Sequence, residues 1–250
     1  NYPESLKSYF RAVKIIESTT NYKLTSNIYS NIGTIFQRQG NYQEALNYHS
    51  LAVTIGQRCN DTLMKAYTIN NLGETYRLTG NYTKALELFQ QAIAIIGDYD
   101  DSWKGYFLNN LGDTYKFLEQ YPQALESNFA ALRLQEKHND RYGILNSRYN
   151  LGGVYLRMKR YKEAHHYLQD ALALATTDHN FEILRDSHHL LSEVNRVTGK
   201  YADALEHYTI YISMRDSTMN SDKSRQITYL QMENEFSKKK SLAKTKKEKK

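Results

Sequence analysis

The sequence predicts an all-α fold: an α-α superhelix of about five and a half helical hairpins, followed by a C-terminal helix. Three observations predict it. A Tyr-x-x-Ala-Leu string recurs at nearly constant spacing, a small residue three positions ahead of an aromatic recurs with it, and only two prolines interrupt 250 residues. Proline removes a helical donor and clashes with the preceding turn, so its scarcity leaves room for many uninterrupted helices.

The string reads Tyr42-Gln43-Glu44-Ala45-Leu46, Tyr82-Thr83-Lys84-Ala85-Leu86, Tyr121-Pro122-Gln123-Ala124-Leu125 and Tyr201-Ala202-Asp203-Ala204-Leu205, with Tyr161-Lys162-Glu163-Ala164-His165 as a variant. The tyrosines are 40, 39, 40 and 40 residues apart, and one further step back lands on Tyr2. Nine residues before each of the five later tyrosines stands Gly33, Gly73, Gly112, Gly152 or Ser192, preceded by Ile32, Leu72, Leu111, Leu151 or Leu191. Phe36, Tyr76, Tyr115 and Tyr155 follow three residues on, with Asn195 as the exception. Residues three apart share a helical face, so the small residue admits a neighbouring helix and the aromatic fills the space beside it.

First helices are therefore expected at about 24–39, 64–79, 102–118, 141–158 and 181–197, and second helices at about 3–18, 43–58, 83–96, 122–137, 162–176 and 202–215. Gly40-Asn41, Gly80-Asn81 and Gly199 stand where first helices should stop, the place for a left-handed residue. Pro3 and Pro122 both fall in the first turn of a second helix, where no donor is lost.

The remaining composition is that of a soluble chain with enough apolar residues for a core: 40% apolar and 24% charged. The 22 tyrosines fit amphipathic packing, ring inside and hydroxyl at an edge. Cys59 is the one cysteine and has no partner for an internal disulfide. No apolar run approaches the ~18 residues of a membrane span, and the first residues lack the basic and apolar regions of a signal peptide. The net charge of +6 is a property of the tail. Residues 238–250 hold eight lysines and one glutamate, leaving 25 basic and 26 acidic residues elsewhere, a net of −1. A nucleic-acid argument from basicity thus reaches only the tail, and nucleic acid is the weakest of the partner readings.

Over roughly residues 1–216 these motifs resemble the tetratricopeptide repeat family, in the Leu-Gly-x-x-Tyr string, the glycine before the second helix and the alanine notches. The step of about 40 residues is longer than the family's usual ~34 and resembles the long-helix variant of spindle-orientation adaptors, kinesin light chains and bacterial signalling proteins. The expected layout is a truncated first repeat over 1–21, repeats starting near 22, 62, 102, 141 and 181, a capping or linker helix over 217–237 and a lysine-rich tail over 238–250. The run from Arg215 through Ile227 is similar to the junction after repeat arrays in bacterial membrane-tethered sensor kinases and regulators. That similarity implies an interaction or sensory region of a larger signalling protein, on the cytoplasmic or periplasmic side, with the side left open.

The resemblance implies that first helices line a concave groove. Asn31, Asn71, Asn110 and Asn150 stand directly before the aliphatic-small pairs, with Asn27, Asn70, Asn109 and Asn146 near the same wall. A carbamoyl group offers an acceptor and two donors, enough to pair with both groups of an extended peptide backbone; the alternative is a hydrogen-bonded seam between helices. One turn on come Arg77, Lys116 and Arg196 at one repeat position and Arg38 and Arg157 at the next, with Glu74, Asp113 and Glu193 a turn before. They read either as a mixed solvated surface of local ion pairs or as a basic stripe for an acidic peptide segment. The expected partner is accordingly a protein or extended peptide in the groove. A homodimer through the C-terminal helix or the truncated N-terminal repeat is the alternative.

His165-His166 and His188-His189 raise a metal reading, but neighbours on a helix diverge by about 100°, so each pair directs one ligand at a time. No Gly-rich phosphate loop, Gly-x-Ser-x-Gly elbow or His-Glu-x-x-His string is present. No cofactor, metal or catalytic residue is expected, and the reading is a non-catalytic scaffold.

Overall fold

A computed structural model describes residues 2–16 and 21–217, and among them every regular element is a helix. The order is α1 (Tyr2–Ile16), α2 (Tyr22–Arg38), α3 (Tyr42–Gly56), α4 (Thr62–Leu78), α5 (Tyr82–Ile96), α6 (Asp101–Phe117), α7 (Tyr121–Lys137), α8 (Arg141–Arg157), α9 (Tyr161–Thr177) and α10 (Phe181–Val197). An eleventh helical stretch, α11, runs over residues 201–217. Helix ends fall within about two residues of the periodicity-based expectation, the usual scatter of frayed termini. The remainder of the expected linker helix and the lysine tail lie outside the described residues.

Local chemistry sets the boundaries. Asn21, Asp61, Asn81, Asp100, Asp140 and Asn180 each cap a helix start by accepting backbone N–H bonds. First helices close with the chain folding back on the aromatic of the repeat: Asn41 N donates to Phe36 O, Asn81 N to Tyr76 O, Gln120 N to Tyr115 O and Arg160 N to Tyr155 O, all at 2.9–3.0 Å. The turn residue is left-handed throughout, at Gly40 (φ 75°), Gly80 (φ 79°) and Gly199 (φ 79°) as expected, but also at Glu119 (φ 60°) and Lys159 (φ 59°). Glycine marks only the turns in which relief of strain was taken.

Each first helix packs antiparallel on its own second helix, and that second helix packs on the next first helix. The buried clusters follow this path. Ile69 and Leu72 of α4 meet Leu88, Ala92 and Ile96 of α5 and Phe107 of α6. Leu151 and Tyr155 of α8 meet Ala164 and Leu168 of α9 and Leu191 and Val194 of α10. A hairpin alone would expose one side of such a cluster, so stacking is the fold's stabilising step. Ala45, Ala85, Ala124 and Ala164 are all fully buried, confirming the alanine as the close-contact notch of the second helix.

The backbones of first helices also approach one another across repeats, α2 with α4, α4 with α6, α6 with α8 and α8 with α10, whereas those of α1, α3, α5, α7 and α9 stay apart and meet only through long side chains such as Phe10 with Tyr48 and Phe129 with Tyr167. Helices that approach every second neighbour lie on the inside of the curve. The inner wall is therefore made by α2, α4, α6, α8 and α10.

Candidate functional site on the inner wall

The asparagines lie on this wall, and the structure assigns their side chains partners between repeats. Asn71 Nδ2 donates to Ser30 Oγ of the preceding repeat at 2.8 Å, and Asn110 Nδ2 donates to Asn70 Oδ1 at 3.0 Å. Ser147 Oγ donates to Asn109 Oδ1 at 2.8 Å. Asn31 donates instead to Asn27 Oδ1 one turn back, and Asn146 to the Tyr142 carbonyl. Asn150 is half-buried on the same wall. Asn70 and Asn109 are the deeper row, and the Nδ2 of each is buried without a partner, a cost of about 1–3 kcal/mol apiece. One amide proton of Asn71 thus stitches repeats together, as the seam reading expects, and Asn71 also lines the opening on the wall described below.

The cations divide. Arg77 holds Glu74 bidentately, Nε and Nη2 at 3.0 and 2.7 Å from its two oxygens, and reaches across repeats to Asp113 at 2.7 Å. Asp113 is also bonded by Lys116, whose ammonium stands 5.0 Å from the Phe117 ring. The four side chains are mostly buried and carry no net charge. Burial alone would raise the Asp113 carboxyl, but Lys116 and Arg77 outweigh it and hold it below the ordinary carboxylate range. Burial would likewise lower the Arg77 guanidinium, and Glu74 and Asp113 reverse that. Removing one member would leave an uncompensated charge, the costly case for a buried network. Arg38 and Arg157 are exposed at the ends of α2 and α8. Of the expected basic stripe, these two and Arg196, exposed at the end of α10, present open charge, and Arg77 and Lys116 are spent between helices.

The wall opens into a pocket of about 480 Å³ lined by Tyr67, Trp103, Tyr106 and Tyr142 with Thr34, Gln37, Arg38, Asn71, Glu74, Ser102 and Asp140. Tyr67 and Tyr106 meet the Trp103 indole edge-on, with centroids 5.3 and 5.9 Å apart and interplanar angles of 77° and 85°. Burial within the concave wall and the neighbouring Glu74 push the Tyr106 hydroxyl up to about 12, against the opposing pull of its hydrogen bond with Asn110. This aromatic corner is absent from the sequence-level site, although a signal for it exists. Tyr67 and Tyr106 stand one turn ahead of Asn71 and Asn110, and Trp103 two turns ahead of Asn110, hence on one face.

The second histidine run, His188-His189, lies at the contact between α10 and α11. His188 faces His207 of α11, with the two Nδ1 atoms 2.8 Å apart, and His189 stacks on Tyr211 at 4.5 Å. Burial, then the partner imidazole, lowers the His188 pKa. Among the described residues no cluster of three or more His, Cys, Asp or Glu is arranged to hold a metal. His49, which the sequence did not single out, is fully buried beneath Gly33 and bonded at both ring nitrogens, to Thr75 Oγ1 (2.8 Å) and the Ser30 carbonyl (3.1 Å).

With this geometry in view, the comparisons are decisive for the family. The profile described as Tetratricopeptide repeat matches residues 1–58, 24–98, 62–137 and 105–177. The chain belongs to the tetratricopeptide repeat family. No curated protein sequence matches it at a significant level. Solved structures of similar fold include BtubC from P. vanneervenii, at 18% identity and TM-score 0.70, over 88% of this chain and 92% of that one. A Rap protein complexed with Competence and Sporulation Factor matches at 22% identity and TM-score 0.70, over 81% of this chain and 57% of the other. A signal transduction ATPase with numerous domains and a tetratricopeptide repeat sensor, from Pyrococcus horikoshii, matches at 20% identity and TM-score 0.67, over 84% and 33%. At these identities the likeness is one of fold. As a tetratricopeptide array the chain is an interaction scaffold, and none of its described helices is long and apolar enough to cross a membrane.

Proposed function

We propose that the array binds an extended segment of a partner protein along its inner wall, as the interaction or sensory region of a larger bacterial signalling protein. The observation that carries this reading is Asn71: tied to Ser30 by one amide proton, it is held still while it lines an open, aromatic-walled pocket. A polar group fixed in advance costs less to engage than a mobile one. The Rap protein solved with Competence and Sporulation Factor, and the repeat sensor of the Pyrococcus ATPase, support a signalling context. An acidic stretch of the ligand would meet Arg38, Arg157 and Arg196, the open cations of the stripe.

The test separates seam from groove. A peptide selected from a displayed random library is titrated against Asn71→Ala and Ser30→Ala. Both variants lose the Asn71–Ser30 bond, so both should lose similar stability, of order 1 kcal/mol. Only Asn71→Ala should weaken binding, by about five- to tenfold. Equal affinity for the two variants would assign Asn71 to the seam alone.

Exposed apolar residues favour a second reading, a homodimer. Tyr201, Leu205 and Tyr208 of α11 fall at i, i+4 and i+7 with Leu205 67% exposed, and Ile15 is exposed at the other end. Light scattering of Leu205→Lys against the parent chain decides it: a parent that is monomeric at micromolar concentration sinks the dimer.

A further inference from the structure

We infer that the pocket at Trp103 is a subsite for a cationic side chain of the bound segment, an arginine or lysine flattened against aromatic rings. This rests on the groove reading above and names the chemistry it selects.

Four aromatic side chains line the space, and their ring faces carry the negative lobe of the aromatic quadrupole. A guanidinium or ammonium within about 6 Å of such a face is attracted to it, most strongly over tryptophan. Two of the rings stand nearly perpendicular to the indole, so the walls turn a corner, as a long, flat-headed side chain requires.

The charges on the lining agree. Glu74 belongs to the neutral Glu74–Arg77–Asp113–Lys116 set, and Arg77 does not line the pocket. That leaves Asp140 and Arg38. Asp140 is half-buried and lines the pocket, and its Oδ1 caps α8 by accepting from Gly143 N at 3.0 Å. Arg38 is exposed at the lip, where water and salt screen it. The more buried of these two charges is therefore the negative one. A cation entering here would keep its stem against rings and its head near Asp140, whereas an acidic side chain would meet ring faces that repel it.

Trp103 is the one tryptophan of the chain, so its fluorescence reports this pocket and no other place. The probes are three end-blocked heptapeptides of glycine and serine, with arginine, citrulline or glutamate at the centre. Citrulline keeps the shape and planarity of arginine and lacks its charge. The arginine peptide should perturb Trp103 emission with an affinity about tenfold above the citrulline peptide, a ratio of the size one cation–aromatic contact supplies. That preference should shrink as salt rises. Asp140→Asn keeps a side chain able to cap α8 and should remove most of the arginine preference with the citrulline affinity unchanged. Tyr142→Ala, at a side chain 57% exposed, should weaken the arginine peptide with the fold intact by circular dichroism.

Equal binding of the arginine and citrulline peptides would overturn the cation subsite and leave the groove reading standing. Tighter binding of the glutamate peptide would overturn it in favour of an anion. Trp103 emission unmoved by all three peptides at millimolar concentration, together with a library-selected peptide that binds elsewhere, would remove both the subsite and this pocket from the groove.

Discussion

Hairpins α4–α5 and α8–α9 fill the notch over their glycine with carbon, whereas α2–α3 and α6–α7 fill the equivalent notch with a polar group. A Cβ on Gly73 would lie 2.9 Å from the Phe89 ring, and one on Gly152 would lie 2.6 Å from Leu168 Cγ. At the same repeat position Gly33 faces the His49 ring and Gly112 faces the Asn128 amide, 2.6 Å from its nitrogen. All four opposing side chains are fully buried. One backbone geometry therefore accepts a phenyl ring, an isobutyl group, an imidazole and a carbamoyl. What differs is the debt each leaves. The apolar pair needs only volume. His49 must stay neutral and bonded at both nitrogens, and Asn128 donates to the Ala124 carbonyl but leaves its Oδ1 without a partner.

The comparison can be broken first where carbon fills the notch. Phe89→Ala should destabilise the array by about 3–5 kcal/mol, as emptying a fully buried aromatic site does, measured by urea unfolding. A loss below ~1 kcal/mol would mean that α5 collapses into the space and that volume is not what this notch requires.

His49 gives the next largest effect, and its sign follows from proton binding. An unfolded imidazole protonates near pH 6.5, while burial, partly opposed by the Ser30 carbonyl, lowers His49 to about 4. The unfolded state thus binds the extra proton between these values. This contribution to stability is complete above pH 6.5 and falls as pH drops, by up to roughly 1.4 kcal/mol per pH unit. It levels off below about pH 4 after a total loss of order 3 kcal/mol. Parallel pH–stability curves for the parent and His49→Phe over that range would refute the assignment.

Asn128→Leu copies the Leu168 notch into α7 and removes an unpaired buried oxygen. A gain of about 1 kcal/mol is expected, read as a higher urea midpoint with the slope unchanged. A loss would show that the amide is satisfied in solution. The smallest effect lies in the turns: Glu119→Gly relaxes a left-handed backbone that Gly40 and Gly80 adopt without strain. It should be worth about 0.5–1 kcal/mol, the strain relieved exceeding the entropy of the freer unfolded chain.

The same division appears on the inner wall. The position of the asparagine ladder was legible in the sequence, because Asn31, Asn71, Asn110 and Asn150 recur beside the aliphatic-small pair and a helix presents such positions on one face. Its partners were not. Asn71 finding Ser30 and Arg77 finding Asp113 depend on how far one hairpin is rotated and shifted against the next. The local ion-pair reading was right for Arg77 with Glu74 and for Lys116 with Asp113, which are three residues apart. The link that joins those pairs crosses repeats. The aromatic corner was missed because its members do not run through the array: Tyr67 and Tyr106 share one repeat position that Asn27 and Asn146 hold in other repeats, and Trp103 and Tyr142 stand at different positions.

Repetition by itself determined the helices, their ends within a residue or two, the glycine and alanine notches and which face of each first helix turns inward. Those follow from periodicity, capping and steric exclusion, all of which act within a few residues of chain. Only the packed array decided that His188 meets His207, that two of four notches are polar, and that a tryptophan and three tyrosines share one opening. Such meetings join residues from separate helices, and the rigid-body placement of hairpins that creates them is the summed result of many side-chain contacts, each too distant in sequence to be read from local spacing.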